Sequence, residues 1–294
     1  MTDALTRIRA AFADAGVTGR LHALDIDTGA QLDEGADQPV CTASVHKLCL
    51  LVALHREAAA GRLDLTERVD CPPDARTKGP TGLAVMLDSA RLSLRDLAYL
   101  MIAVSDNAAA DLLLGRVGLD TVNAATDRLG LTRTRAVHTF GEMLATLKED
   151  AGPGGAGALT DPHVIARLRA LDPARTNRST PREMTRLLAA VWRDEAGTAE
   201  HCAAMRRLLA LQVWPHRLAS GFPFDDVHVA GKTGTLPTVR NEVGVVEYPD
   251  GGRYAVAVFT RTANPAAALP AADAVIGTAA RLAVDGLRAR QATG

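Results

Sequence analysis

The hydrophobic pattern of this chain places β-strands at its two ends and helices between them. Near the N-terminus, LHALDIDTGAQLDEG alternates apolar and polar residues around Asp27-Thr28-Gly29, which predicts a β-hairpin. After Gly221 the alternation returns, and a turn at residues 248–252 separates the last two of three predicted strands. The sequences of these three strands are HVAGKTGT, VRNEVGVVEY and RYAVAVFTRT.

The middle of the chain has the apolar spacing and end signals of helices. Helices are predicted over residues 44–60, 93–104, 107–115, 120–129 and 270–289, together with an amphipathic N-terminal helix and one that begins at Pro181. Residues 138–180 are the least regular, and AGPGGAGALTDP, from Ala151 to Pro162, has the composition of a flexible loop.

These elements predict a mixed α/β (α+β) chain with a discontinuous sheet domain. We expect residues 1–40 and 182–294 to form the α/β domain and residues 41–181 to form an inserted all-α domain. A cleft between two such domains is a common place for a ligand site.

The composition argues against several classes of partner. A net charge of −1 provides no basic excess for nucleic-acid phosphates, and aromatic residues make up only 3% of the chain. No segment reaches the roughly 18 to 20 apolar residues of a membrane span, and the N-terminus lacks the apolar core of a signal peptide. We therefore expect a monomer in the cytoplasm that acts on a small molecule, with no nucleic acid or membrane as partner.

The cysteines and histidines lack the close spacing of metal ligands, so we expect no metal and no organic cofactor. The four cysteines are expected to be free thiols that pack as small apolar residues. His46 lies between two candidate catalytic residues, but its position on a helix points it to another face, which favours a packing role.

Ser44 and Lys47 are three residues apart and share one face of a predicted helix. A serine hydroxyl becomes a nucleophile only beside a base, and a lysine serves as that base only when it is neutral. The alternative is a helix-capping serine beside a solvated lysine. The chain has only six serines and four lysines, so the pairing is informative.

Two further motifs supply groups that fit the same chemistry. Ser105-Asp106-Asn107 lies between two helices, where Ser105 can relay a proton and Asn107 can hold a substrate amide. Lys232-Thr233-Gly234-Thr235 lies on a predicted strand and offers a second cation, hydroxyl groups and a backbone N–H for an oxyanion. Taken alone, the first would be a helix cap and the second an ordinary strand end.

In this order, the three motifs resemble the signature of class A β-lactamases and the related penicillin-binding proteins. Segments such as LSLRDLAYLMIAVSDNAAADLLLGRVGLDTVNAATDRLGLTRTR and STPREMTRLL are also similar to that family. The resemblance covers nearly the whole chain. It implies a β-lactamase/transpeptidase-like fold, with a five-stranded antiparallel sheet flanked by helices, an all-α domain and an active site between them.

The resemblance also implies roles for individual residues. Ser44 would be the nucleophile, Lys47 its base and Ser105 the proton relay, while Asn107 would contact the substrate side chain. Lys232, Thr233, Gly234 and Thr235 would line the facing strand. RLASGFP is similar to the segment that supplies an arginine to the substrate carboxylate in actinobacterial members, which implies this role for Arg217, with Arg240 as a second candidate.

One motif of class A β-lactamases is missing from the sequence. Those enzymes carry Glu-x-x-Leu-Asn, and its glutamate activates the water that hydrolyses the acyl-enzyme. Counting forward from LGLTRTR puts Phe140 in the glutamate's place, whereas counting back from NRSTP puts Val164 there. The nearest acids to these two positions are Glu142 and Asp161, and Glu142 is slightly preferred.

Three functions fit these observations. The first is a serine hydrolase that opens a β-lactam or a related amide or ester through an acyl-Ser44 intermediate. The second is a D-alanyl-type peptidase, an esterase or a transacylase of the same fold. The third is a protein that captures such ligands and releases them slowly.

Overall fold

A five-stranded antiparallel sheet with the strand order β2-β1-β9-β8-β7 forms the centre of the α/β region in a computed structural model that describes residues 2–291. Its strands are β1 (Val17–Asp25), β2 (Gln31–Glu34), β7 (His228–Leu236), β8 (Val239–Glu247) and β9 (Arg253–Thr262). Two short antiparallel pairs join β3 (Val40–Cys41) to β6 (Arg178–Ser179) and β4 (Arg68–Cys71) to β5 (Ala90–Ser93). The predicted hairpin, the three C-terminal strands and the antiparallel sheet are confirmed.

The helices account for most of the middle of the chain. They are α1 (Thr2–Asp14), α2 (Lys47–Ala59), α3 (Leu94–Ala103), α4 (Asn107–Val117), α5 (Leu119–Arg128), α6 (Phe140–Ala151), α7 (Gly155–Ala158), α8 (Pro162–Ile165), α9 (Pro181–Trp192), α10 (Ala199–Ala210) and α11 (Pro270–Gln291). A 3-10 turn, Ala43–His46, precedes α2 where one continuous helix was predicted.

The segment from Ala151 to Pro162 differs from the prediction of a flexible loop. It contains a 3-10 turn and α7, followed by α8, which begins at Pro162. Gly152 and Gly155 have positive φ, so they let the chain change direction between successive helical turns. The glycines therefore separate short helices in this segment.

The two faces of the sheet pack against different helices. One face packs on α1 and α11 through a core that includes Ile8, Tyr254 and Ile276. The other face shares a larger core with the helical region, including Leu51 and Phe259. The four cysteines are free and buried. The division into residues 1–40 plus 182–294 and residues 41–181 stays a prediction, although β3 and β6 pair at its two boundaries.

Helix α11 approaches the 3-10 turn Leu218–Gly221 so closely that no side chain fits between them. A Cβ atom added at Gly277 would lie 2.5 Å from the carbonyl oxygen of Arg217 and 2.6 Å from the backbone nitrogen of Gly221. Glycine at this position therefore fixes the distance between α11 and the segment that carries Arg217.

None of the helices within residues 2–291 is long and apolar enough to cross a membrane.

Gly277→Ala is expected to lower the free energy of unfolding by about 1–3 kcal/mol, because the added methyl group meets backbone atoms. Gly115→Ala is the matched control, since a Cβ atom at this helical position meets nothing within 4 Å. This control should raise stability by roughly 0.5–1 kcal/mol. Urea unfolding of both variants measures the difference, and equal effects would contradict the close packing of α11.

Candidate active site

Ser44 lies at the start of the helical region, on the wall of a cavity of about 610 Å³. It belongs to the 3-10 turn that leads into α2, and the preceding Ala43 has a φ of 49°. A non-glycine residue in this left-handed region is uncommon and concentrates at functional sites. Ser44, Asn107 and Thr235 all line this cavity.

Lys47, three residues after Ser44, is completely buried at the start of α2. Its Nζ donates to the carbonyl oxygen of Ser105 at 2.6 Å and to Oδ1 of Asn107 at 2.8 Å, and lies 3.4 Å from Oγ of Ser105. All these acceptors are neutral, and burial lowers the pKa of Lys47 to about 7 although Asp106 and Asp111 oppose the shift. At neutral pH a substantial fraction of Lys47 therefore carries a free lone pair.

Ser105 connects the two lysines of the predicted motifs. Its Oγ accepts a hydrogen bond from Nζ of Lys232 at 2.9 Å, and its φ of 62° is again left-handed. Burial, with a further contribution from Lys47, holds the pKa of Lys232 well below its ordinary value. Two amines at 2.9 and 3.4 Å from one hydroxyl oxygen make a short path for a proton.

Asp106, the middle residue of its motif, has a structural function. Its Oδ1 accepts hydrogen bonds from the backbone of Ala108 and Ala109 at the start of α4, and its Oδ2 accepts one from the backbone of Leu83. This N-cap holds Ser105 and Asn107 in place at the start of α4.

Strand β7 is an edge strand, and its free edge faces the serine. The backbone N–H of Thr233 points away from β8, because it donates to Oε1 of Gln212 at 2.7 Å. Successive N–H groups of a strand alternate in direction, so the N–H of Thr235 lies on the same open side. A Cβ atom at Gly234 would meet the carbonyl oxygen of Thr42 at 2.6 Å, which shows how closely β7 approaches the turn of Ser44.

The two arginines predicted to bind a carboxylate are both buried. Arg217 pairs with Asp273 at 2.6 Å and donates to the carbonyl oxygens of Gly234 and Asn241 and to Oγ1 of Thr235. Because Arg217 donates to this oxygen, the hydroxyl hydrogen of Thr235 remains available for a ligand. Arg217 is not among the residues of the cavity wall, so its direct contact with a substrate stays a prediction.

Arg240 does line the cavity, but its guanidinium hydrogen-bonds to other groups of the protein. It donates to the carbonyl oxygens of Leu236, Val239 and Ala267, and its Nε lies 3.5 Å from Asp273. Its positive charge adds to the field of the cavity, while its hydrogen bonds hold the turn between β7 and β8.

The structure does not support Glu142 as the base that activates a deacylating water. Glu142 is exposed, and its carboxylate forms a capping box with Thr139 at the start of α6. Asp161 is likewise a cap, at α8, and Val164 is buried within that helix. Neither acid lines the cavity of Ser44.

Phe140 occupies the position beside the lysine. Its ring centroid lies 4.5 Å from Nζ of Lys47, and its side chain is fully buried. The backbone of Phe140 is anchored by a hydrogen bond to Asp111 on α4. An aromatic ring therefore covers the amine, and a ring can neither accept a proton nor activate a water.

Sequence reasoning missed the polar network behind β7. Oε1 of Glu242 accepts a hydrogen bond from Gln212, and its Oε2 accepts one from the backbone of Leu218. Burial raises the pKa of Glu242 to about 7. The detectable signal was the polar run Arg240-Asn241-Glu242 inside a predicted strand, although the partners of Glu242 are distant in sequence.

The sheet order, the helical region and the Ser44 site together define a β-lactamase/transpeptidase-like fold. Residues 3–287 match the β-lactamase enzyme family, and the chain belongs to that family.

Two comparisons place this membership in context. The chain is 33% identical over 311 aligned positions to the β-lactamase regulatory protein BlaB of Streptomyces cacaoi, covering 97% of each. Among solved structures, a β-lactamase from Sphaerobacter thermophilus has a TM-score of 0.79 and 28% identity, with 97% of this chain and 98% of that chain covered.

A second similar structure is that of the protein PBP-A, with a TM-score of 0.79 and 22% identity, covering 98% of this chain and 97% of that chain. A mutant form of PBP-A has also been solved as an acyl-enzyme complex with penicillin G, and at 22% identity it is similar in fold.

Arg217→Ala is expected to lower the free energy of unfolding by about 3–5 kcal/mol, because it leaves buried acceptors and the Asp273 carboxylate without their main partner. Arg9→Ala is the control, since its pair with Glu34 is largely exposed on the arginine side and should contribute about 0–1 kcal/mol. Urea unfolding measures both. If Arg217→Ala lowers the free energy of unfolding no more than Arg9→Ala does, Arg217 does not stabilise the fold in this way.

Proposed function

We propose that this protein is a serine acyl-enzyme that reacts with β-lactams, or related cyclic amides and esters that carry a carboxylate, and releases the acyl group slowly. Membership of the β-lactamase enzyme family supports this class of reaction. The observation that carries the proposal is the pair formed by the buried Lys47 amine and the Phe140 ring above it. The Lys47 amine can accept the proton of Ser44 during acylation. The Phe140 ring cannot act as a base for hydrolysis of the acyl-enzyme.

In the acylation step, Oγ of Ser44 attacks the carbonyl carbon of the ring amide and transfers its proton to neutral Lys47. The C–N bond of the ring then breaks, and the nitrogen takes a proton through Ser105, which lies between the two lysines. The acyl group remains on Ser44 as an ester, and the opened nitrogen stays attached to the same molecule.

The oxyanion of this step is expected to lie between the backbone N–H groups of Ser44 and Thr235. The close approach of β7, enforced at Gly234, supports this arrangement. The Thr235 hydroxyl, held by Arg217, is suited to donate to a ligand carboxylate. Arg240 on the cavity wall and Arg217, which is bonded to Thr235, make the surroundings favourable for an anion.

Release of the acyl group requires one water, which adds to the ester and regenerates the Ser44 hydroxyl. In this family such a water is expected to need a carboxylate, but Phe140 lies beside Lys47 and both candidate acids are helix caps. Lys47 is the remaining base near the ester. Lys47 can serve again only after it has given up the proton that it took from Ser44. We therefore expect deacylation to be the slow step.

A covalent ligand sensor is a second candidate. The name of the relative from Streptomyces cacaoi, a β-lactamase regulatory protein, favours it. A long-lived acyl-enzyme would suit a sensor, whereas fast transfer to an amine acceptor would indicate a transacylase or peptidase.

Intact mass spectrometry with penicillin G should show one stoichiometric adduct, with the mass of the whole antibiotic, that outlasts the acylation reaction. Ser44→Ala should show no adduct. Multiple rapid turnovers without an accumulated adduct would favour an efficient hydrolase and contradict slow release. An adduct on Ser44→Ala would remove Ser44 as the nucleophile.

The acylation rate is expected to fall as the pH drops through about 7, because protonated Lys47 cannot accept the Ser44 proton. Phe140→Glu places a carboxylate beside the amine and should move this midpoint upward, since a nearby negative charge favours the ammonium form. The glutamine of Phe140→Gln has the shape of the glutamate without its charge, so this variant should leave the midpoint near 7.

Stopped-flow acylation by a chromogenic cephalosporin between pH 5 and 9 measures these midpoints. Glu242 also has a pKa of about 7, so Glu242→Gln tests whether it is the titrating group instead. Equal midpoints in Phe140→Glu and Phe140→Gln, or loss of the transition in Glu242→Gln, would contradict the role of Lys47.

A further inference from the structure

A second cavity, of about 550 Å³, lies outside the Ser44 site. We call it the α8 cavity, because Pro162 and Ile165 of that helix line it. The start of β1, the turn between β7 and β8 and the end of β9 form its other sides. Within the described part of the chain, it shares no wall residue with the cavity that contains Ser44.

Thr238 on the wall of the α8 cavity has a buried hydroxyl without a partner. The residue is 2% exposed, and its Oγ1 has no hydrogen-bond partner among the residues that the structure describes. Such a hydroxyl destabilises a fold, and most buried hydroxyls are therefore hydrogen-bonded. Because Thr238 lines the cavity, an acceptor that binds there can meet this hydroxyl.

The backbone of Thr238 is also unusual. Pro237 and Thr238 make the two-residue turn between β7 and β8, since Leu236 pairs with Val239. Thr238 has a φ of 61°. Proline followed by a residue with positive φ is typical of a type II turn, in which glycine fits the second position best. A β-branched residue there is strained, and no contact of its hydroxyl within residues 2–291 offsets this cost.

The charge of the α8 cavity favours an anion. Among the residues that the structure describes, Arg261 is the only charged one on its wall. Arg261 lies opposite Thr18 of β1 and Val239 of β8 in the sheet. It is exposed, and its guanidinium forms no salt bridge and no hydrogen bond with another described residue. Its N–H donors are thus available to a carboxylate.

The remaining wall is largely apolar. Val17, Ile165 and Ala166 contribute hydrocarbon surface near the polar groups. A volume of about 550 Å³ is within the range that holds small organic ligands. One guanidinium with a neighbouring hydroxyl matches a head group of single negative charge, and the apolar surface matches a hydrocarbon body.

We infer that the α8 cavity binds a small carboxylate with an apolar body, such as a medium-chain fatty acid. The carboxylate accepts hydrogen bonds from Arg261 and from the Thr238 hydroxyl. The hydrocarbon chain lies against Val17 and Ile165. This site is separate from Ser44, so the inference does not rest on the proposed function.

NMR of isoleucine δ1 and methionine ε methyl groups distinguishes the two cavities. The chain has five isoleucines and six methionines; Ile165 reports on the α8 cavity and Met143 on the Ser44 cavity. Octanoate should shift the Ile165 signal and leave the Met143 signal in place, whereas octylammonium, with the opposite charge, should shift neither. Octanoate should bind at least about tenfold more tightly than butanoate, because its longer chain removes more methylene groups from water.

Two variants each remove one contact of the head group. Arg261→Gln should weaken octanoate binding at least about tenfold, because it removes a charged donor. Thr238→Val keeps the β-branched shape, and it should weaken octanoate binding by about fivefold or more. In the free protein the same variant should leave the free energy of unfolding equal or higher, since the hydroxyl has no partner there. Arg95→Gln is the matched control, since Arg95 is an exposed arginine that lines neither cavity.

Several outcomes would overturn the inference. One is an Ile165 signal that does not move up to the critical micelle concentration of octanoate, and another is a shift of Met143 alone. Equal affinity in Arg261→Gln and the unaltered protein, or equal binding of acetate and octanoate, would likewise contradict it. A lower free energy of unfolding in Thr238→Val would show that the hydroxyl stabilises the turn itself. None of these outcomes affects the proposed function, which adduct formation on Ser44 tests separately.

Discussion

The hydrogen bonds between two buried lysines and Ser105 are the feature on which the rest of the site depends. Lys47 and Lys232 both donate to this residue, and neither has a carboxylate among its hydrogen-bond partners within the described residues. Burial of two amines so close together disfavours the charged form of both. Neutral oxygens compensate the burial in part, since Lys47 donates to the Ser105 carbonyl and to Asn107, and Lys232 donates to the carbonyl oxygen of Thr233.

The segment after residue 139 affects the proposed release of the acyl group and not the proposed acylation. Phe140 begins α6 and covers Lys47, so the position expected to hold a carboxylate is apolar. The same helix then supplies Met143 and Leu147 to the wall of the cavity. A change in this one segment thus removes the carboxylate that the proposed release step would need, while Lys47 and Ser105 keep the hydrogen bond on which the proposed acylation depends.

The sequence predicted the five strands of the main sheet, seven of the helices and the three motifs, because each is encoded by local periodicity or by a short spacing. Helices α6 and α10 were not predicted. Counting forward from LGLTRTR also placed Phe140 correctly beside the site. The function of Glu142 was not predictable in this way, since a glutamate three residues after Thr139 fits a capping box as well as a catalytic loop. The pairing of Arg217 with Asp273 joins residues 56 positions apart, and no local pattern indicates such a contact.

The central claim is that Lys47 is a neutral base held by burial, and direct titration of its amine tests it. The chain has only four lysines, so NMR of protein labelled at lysine Cε resolves each of them, with Lys47→Met assigning the signal. The account predicts a midpoint near 7 for Lys47 in the unliganded protein. A Lys47 midpoint in the ordinary range of a lysine side chain, about 10.4, would contradict the account.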